Sequence, residues 1–303
     1  MPDVRICEMV TRDGLQSLPA DEPVALERRV ALVAALLGAG LDFVEVGAFV
    51  SPRAVPQMAD TDALCTRLRR PDGVDFAALV PNVKHYERFA PSRLNVAALI
   101  LSASEAYSQF NTRMSVEESM RASAEVARTA LRDGLKVRAH LSACFQDIDG
   151  SDSDIGLVVR LTRRLVEMGC AHVALADTKG TTHPRRVRAV LDAVRREVGL
   201  DRVGVHFHDS YGQGIANCFA ALEAGVRLFD TSVGGIGGTP FRGAAKDQPG
   251  GGGNVATEEL VWLLDHHGMS TGLDLDALIE SAGMVAEIVR DCGYPRLPSK
   301  LVR

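Results

Sequence analysis

The six cysteines, at 7, 65, 144, 170, 218 and 292, form no CxxC pair and no short regular spacing. That argues against a disulfide framework and for reduced thiols. No stretch reaches 18 consecutive apolar residues, so no transmembrane helix is expected. There is no excess of positive charge: the net charge is -5 and the pI about 5.9. A global basic field for nucleic acid is thereby excluded. The opening MPDVRICEMV has no charged leader and enters a strand at once, so no secretory signal is expected and a cytoplasmic location is. No composition break marks a second domain. The first strand is not followed by a phosphate-binding glycine loop, since RDGLQ is not one, and this weighs against a doubly wound open sheet.

What is present is an alternation. Short apolar, β-branched runs predict strands at 4–10, 43–49, 76–80, 95–101, 137–143, 172–176, 203–208 and 228–233. Helical spacing follows at 24–37, 116–131, 155–168, 184–198, 212–224 and 257–267, while the helix after the third strand is poorly defined. Glycines at 40, 134, 169, 199 and 225 stand where a left-handed residue ends a helix. Eight such units predict a single α/β domain over residues 1–303, a (β/α)8 TIM barrel spanning about 3–270. An additional C-terminal helix at 274–290 is expected to cap an end, within an extension at about 271–303.

In such a barrel the active groups sit at the C-terminal ends of the strands. Polar residues scattered through the sequence converge there: Asp13 after strand 1, Glu45 late in strand 2, Asn82 after strand 3, Asp177 after strand 6, and His206 and His208 at the end of strand 7. Strand alternation puts His206 and His208 on one face, where two imidazoles can hold one divalent cation. Asp13 supplies a carboxylate, and the Asn254 amide can add an oxygen. Mixed N/O ligation with open positions suits Mg2+ or Mn2+, with Zn2+ also admissible, rather than a closed thiolate zinc site.

Arg12, permanently charged and beside Asp13, can stabilise an enolate oxygen; the alternative is a structural ion pair with Glu8 or Glu45. Glu45, in the apolar FVEVGAF, needs a partner and either anchors Arg12 or lies behind the metal. Asp177 is a proton carrier or an orienting group, or else a helix N-cap. Gln16, Asn82, Thr178, Gly237 and Gly238 are candidates for substrate contact. The glycines at 234–238 and 250–253 read as a loop able to close over substrate.

RDGLQ at 12–16, FVSPRAVPQMAD at 49–60, PNVK at 81–84, ADT at 176–178, HFHDSYGQGIAN at 206–217 and GNVATEEL at 253–260 resemble 3-hydroxy-3-methylglutaryl-CoA lyase, a DRE-TIM metallolyase. The resemblance runs in order over nearly the whole chain. It implies a barrel with Mg2+ or Mn2+ on Asp13, His206, His208 and Asn254, with Arg12 on the enolate and Glu45 and Asp177 nearby. It further implies retro-aldol cleavage of a hydroxyacyl-CoA to acetyl-CoA and a keto acid, and a homodimer. The family's glycine loop reads GGCP with a catalytic cysteine, but here Thr239 stands in that place. Cys144 is a candidate thiol from another direction. The alternatives are a condensing acyltransferase of the isopropylmalate or homocitrate synthase type, and an inactive barrel that serves as a binding protein.

Overall fold

Eight parallel strands pair in sequence order and close on themselves. The computed structural model describes residues 2–19, 23–238, 253–293 and 297–302. The strands are β1 (Arg5–Glu8), β2 (Phe43–Ala48), β3 (Asp75–Leu79), β4 (Val96–Ser102), β5 (Lys136–Ser142), β6 (His172–Asp177), β7 (Val203–Phe207) and β8 (Leu228–Thr231). Closure is made by β1 against β8, from Arg5 opposite Leu228 to Glu8 opposite Thr231. Around them run α1 (Leu26–Gly38), α2 (Thr61–Arg67), α3 (Val83–Phe89), α4 (Glu105–Thr112), α5 (Val116–Arg132), α6 (Ile155–Glu167), α7 (Pro184–Glu197), α8 (Gly214–Ala224), α9 (Thr257–His266) and α10 (Leu275–Asp291). Two of these, α2 and α4, are too short for the helical spacing to stand out in the sequence.

Local signals account for several boundaries. Ser115 and Glu118 form a capping box that starts α5. Pro184 occupies the first turn of α7, where its missing N–H costs nothing. Gly225 ends α8 at φ 106°, a conformation that penalises any Cβ.

Most of the apolar residues form one large core, and Cys7, Met9, Phe43, Ala77 and Val96 form a smaller separate cluster. The six cysteines carry free thiols. Among the described residues no helix is long and apolar enough to cross a membrane.

The C-terminal helix departs from expectation. Instead of capping an end, α10 runs antiparallel along α1. Its N-cap residue Asp274 donates its N–H to the Ala39 carbonyl at the end of α1, and Asp291 at its other end pairs with Arg28 at 2.5 Å. The reason is apolar: Leu278, Ala282, Val285 and Val289 form one buried stripe. The chain after β1 also differs from a simple strand extension. Val10–Gly14 forms one π-helical turn, closed by Gly14 N–H on the Met9 carbonyl.

Glu8, fully buried at the end of β1, ties the mouth together. Its Oε1 accepts from Val10 N at 2.8 Å and Val233 N at 3.0 Å, and its Oε2 from the Thr257 hydroxyl at 2.6 Å. Burial pushes its carboxyl up to about 7, against the pull of these three donors. A carboxyl raised in the folded state binds its proton more tightly there than in the unfolded chain. Its contribution therefore favours folding at low pH and is lost as pH rises from about 4.5 through about 7. Glu8→Gln keeps an acceptor for both N–H groups, and the Thr257 hydroxyl can turn to Thr231, 2.7 Å away. Denaturant unfolding at pH 5 and pH 8 should show the variant gaining on the wild type at the higher pH by roughly 3 kcal/mol. Equal pH dependence of the two proteins would contradict this reading of Glu8.

Candidate metal centre

Three chain segments bring four candidate ligand groups to the barrel mouth: the turn after β1, the end of β7, and the segment from Gly253. His206 lies within β7 and His208 just beyond it. Both are about 5% exposed, and their Nε2 atoms are 3.1 Å apart. Each ring is oriented from behind. His208 Nδ1 lies 2.9 Å from the Thr178 carbonyl, which can only accept, so that nitrogen carries the proton. His206 Nδ1 faces Asp230 Oδ2 at 3.4 Å. The network thus assigns the lone pair of each Nε2 to the space between the rings.

The π-helical turn points Asp13 at the same place. Its Oδ2 lies 3.9 Å from His208 Nε2 and accepts from Asn254 Nδ2 at 2.8 Å and Gly238 N at 3.0 Å. Burial pushes the Asp13 carboxyl up, but Arg12 and the two histidines outweigh it and hold it well below the usual carboxylate range.

Asn254 arrives by backbone pairing. The segment from Gly253 lies between the ends of β7 and β8: Asp209 N bonds to the Gly253 carbonyl at 2.9 Å, Val255 N to the Phe207 carbonyl at 3.2 Å and Ser232 N to the Val255 carbonyl at 3.0 Å. The Asn254 amide nitrogen is committed to Asp13 and to the Ile236 carbonyl. Its Oδ1 is buried and has no hydrogen-bond partner among the described residues.

These groups fit a divalent cation. Two bare imidazole nitrogens 3.1 Å apart repel unless something positive lies between them. Ligands at about 2.1 Å in neighbouring positions of one ion stand roughly 3 Å apart. The orphaned amide oxygen supplies a further hard donor beside the carboxylate. A second group, His140, His206 and Asp230, is also close enough to share an ion. However, Arg138 NH2 lies 2.8 Å from both Asp230 oxygens, and that fixed charge opposes a cation there.

Arg12 stands beside the ligands. Its NH1 pairs with Asp13 Oδ1, its Nε with Glu45 Oε1 at 2.5 Å, and among the described residues its NH2 faces only Met9 Sδ at 3.8 Å. Burial pushes the Glu45 carboxyl up, but Arg12 and His140 outweigh it and bring it to about 2. The ion pair with Glu45 exists, and it places the Arg12 guanidinium beside Asp13.

The remaining expected residues divide. Gln16 and Thr178 line the cavity over the ligands. Thr178 is also a support, since its Oγ1 accepts from Ala143 N at 2.8 Å while its carbonyl orients His208. Gly237 packs so closely that a Cβ would collide with Asn254 Nδ2 and fall 2.8 Å from Asp13 Oδ2. Asp177 ends β6 behind the cavity wall, its Oδ2 accepting from Thr182 N at 3.0 Å; His183, not Asp177, caps α7. Burial pushes the Asp177 carboxyl up. Asn82 caps α3 by accepting from His85 N and is not among the residues lining the cavity. Cys144 is buried with its thiol on the Leu141 carbonyl, and burial pushes that thiol up, away from acid duty. Thr239 lies outside the described residues, as do residues 250–252 of the glycine loop.

Sequence reasoning passed over His140, Arg138 and Asp230, all buried inside the barrel. Their signal was the one that exposed Glu45, a charged residue at an inward position of an apolar strand. Tyr107 and Asn111, one turn apart on and beside the cavity face of α4, were missed with the helix that carries them.

The family model described as HMGL-like matches residues 3–285. A Pseudomonas aeruginosa protein named 3-hydroxy-3-isohexenylglutaryl-CoA/hydroxy-methylglutaryl-CoA lyase is 38% identical over 286 residues, 94% of this chain and 93% of that one. The crystal structure of Bacillus subtilis HMG-CoA lyase superposes with a TM-score of 0.91 at 34% identity, covering 99% of this chain and 98% of that one. An Acinetobacter baumannii HMG-CoA lyase in complex with coenzyme A and 3-methylmalate gives 0.89 at 30% identity, covering 98% and 93%.

The ligand assignment makes a direct prediction. Isothermal titration of the protein with Mn2+ should show His208→Ala and Asn254→Ala each weakening binding, the histidine variant on the order of a hundred-fold or more. Gly237→Ala should weaken it too, by displacing the Asn254 amide. Unchanged affinity in all three would remove the metal from this site.

Proposed function

The chain belongs to the HMGL-like family, whose model spans nearly all of it, and on that premise we propose that it is a divalent-metal-dependent carbon–carbon lyase. Its substrate is 3-hydroxy-3-methylglutaryl-CoA or a homologue with a larger group on the hydroxyl-bearing carbon, and its products are acetyl-CoA and a keto acid such as acetoacetate. The observation that carries the reading is Arg12, held beside the ligand cluster with one donor uncommitted to any carboxylate.

The reaction breaks the bond between C2 and C3. The hydroxyl proton leaves, the C3 oxygen becomes the ketone of the keto acid, and the bonding pair moves onto the thioester as an enolate, which takes a proton at C2. Mg2+ or Mn2+ bound by Asp13, His206, His208 and Asn254 would lower the pKa of the substrate hydroxyl and offset the developing negative charge. Arg12 NH2 is free to meet the enolate oxygen, where charge appears only as the bond breaks. Glu45 and Asp13 hold the other guanidinium nitrogens, so the donor is aimed before substrate arrives. Gly238 N and Asn254 Nδ2 fix the Asp13 carboxylate. Asp177 we assign to the loop that carries Thr178.

Across the mouth from the histidines, Leu79 on β3 and Ile100 on β4 form an apolar wall of the cavity that Tyr107 also lines. Strands three and four lie opposite strands seven and eight in an eight-stranded ring, so this wall faces the substituent on C3. The P. aeruginosa relative, named for both a methyl and an isohexenyl substrate, supports the wider substrate class. The resemblance to the family is also what supports a homodimer and a cytoplasmic location.

A thiol titrates near neutral pH and a threonine hydroxyl does not, so Thr239 changes the proton delivery expected of the family. Acetyl-CoA release from 3-hydroxy-3-methylglutaryl-CoA with Mn2+ tests the reading, run beside Thr239→Cys and Arg12→Gln. Turnover by the wild type is expected, with Arg12→Gln lowering kcat by roughly 10²–10³ and leaving KM nearly unchanged. Response of Thr239→Cys alone would show that the natural substrate or protonation route has diverged. Silence of both, with the 3-isohexenyl substrate as well, would sink the lyase reading.

A further inference from the structure

Resting on the metal-lyase reading, we infer that His140 is a positioning residue that couples the two working arms of the site, the Arg12 guanidinium and the His206 ligand. His140 stands at the middle of a single chain of contacts. Its Nε2 lies 2.8 Å from Glu45 Oε2, while the other oxygen of that carboxylate holds Arg12 Nε at 2.5 Å. Its Nδ1 lies 3.5 Å from Asp230 Oδ2, the same oxygen that faces His206 Nδ1 at 3.4 Å. The two imidazoles pack edge to face, with centroids 6.1 Å apart and planes at 84°. Every member comes from a different strand or turn: Arg12 after β1, Glu45 on β2, His140 on β5, His206 on β7 and Asp230 on β8.

The arrangement forces the role. Both His140 nitrogens face carboxylates, so neither is turned to a substrate atom. What His140 controls is how those carboxylates are shared. Glu45 offers one oxygen to Arg12 and one to His140. Without the second donor, a buried carboxylate oxygen loses its partner. The carboxylate would then rotate to grip Arg12 through both oxygens, the geometry that guanidinium and carboxylate prefer. That rotation pulls the guanidinium towards β2 and away from Asp13 and the enolate position. On the other side, Asp230 is clamped by Arg138, with NH2 at 2.8 Å from each oxygen. His140 and the His206 ring confine each other, so removing one frees the other to tilt.

The test uses the full-length enzyme and His140→Phe, which keeps a ring but removes both hydrogen-bonding nitrogens. Three quantities are read: the Mn2+ dissociation constant by calorimetry, kcat and KM for 3-hydroxy-3-methylglutaryl-CoA at saturating Mn2+, and the melting temperature. We expect kcat to fall on the order of 10–100-fold with KM changed less than about threefold, and Mn2+ binding to weaken by about tenfold. A double-mutant cycle with Glu45→Gln should be strongly non-additive, the double variant having nearly the kcat of Glu45→Gln alone. His140→Gln, which retains one N–H donor towards Glu45, should recover part of the kcat loss and serves if the phenylalanine variant does not fold. Wild-type values of both kcat and Mn2+ affinity in a folded variant, or full additivity in the cycle, would overturn the inference. If the wild type binds Mn2+ but cleaves nothing, the lyase reading fails while the affinity measurement still decides whether His140 supports His206.

Discussion

An unpaired charge cannot be left inside a protein, and the interior of this barrel holds many charges. Arg12, Glu45, Arg138 and Asp230 are each 5% exposed or less, and the His140 imidazole is buried among them. A single buried ion pair gains little over apolar packing, but losing one partner of such a pair costs several kcal/mol. Each of these residues therefore constrains its neighbour. Arg138 fixes Asp230, Asp230 faces His206 and His140, His140 fixes Glu45, and Glu45 fixes Arg12. Burial would raise the carboxyls of Glu45 and Asp230, yet the cations beside them bring both below their ordinary values. The centre is rigid because its charges have no other way to be satisfied.

Much of this was legible in the chain. Alternating apolar runs and glycine-ended helices are enough to specify eight βα units, the strand-end rule gathers Asp13, His206 and His208 at one mouth, and Asn254 joins them as an amide donor in the loop after the last strand. Those four residues do converge. What stayed hidden was hidden for physical reasons. Arg138 and His140 sit in the run KVRAHLS, where a charge reads as a strand edge unless the barrel interior is known to be polar. Asp230 gains its meaning from Arg138, 92 positions away. The helix α4, eight residues long, is too short for a clear period, so Tyr107 and Asn111 went unseen with it. Asn82 was placed by its position after β3, but a residue just past a strand can equally cap the next helix, and here it does. For α10, an apolar stripe marks a buried face without saying what buries it.

The backbone between β1 and α1 shows how a local irregularity serves chemistry. A regular strand would alternate Arg12 and Asp13 to opposite faces. The π-helical turn at Val10–Gly14 brings consecutive side chains to the same interior, so that guanidinium and carboxylate share one ligand cluster. The bulge in β2 between Glu45 and Gly47 lies on the neighbouring strand, from which Glu45 meets Arg12.

Asn254 and Asp13 are separated by 241 positions, and Glu8 and Thr257 by 249. Neither contact exists until the last segment has been laid between β7 and β8, so the ion site has no partial form in a half-built barrel. Loop closure over such distances comes late in folding, after the local βα units have collected. A ligand that recognises only the finished mouth then stabilises the closed barrel by mass action. A divalent ion held by Asp13 and Asn254 would thereby be a clasp as well as a reagent: its occupancy would link the first strand to the last, and the availability of the ion would become a term in how long the ring stays shut.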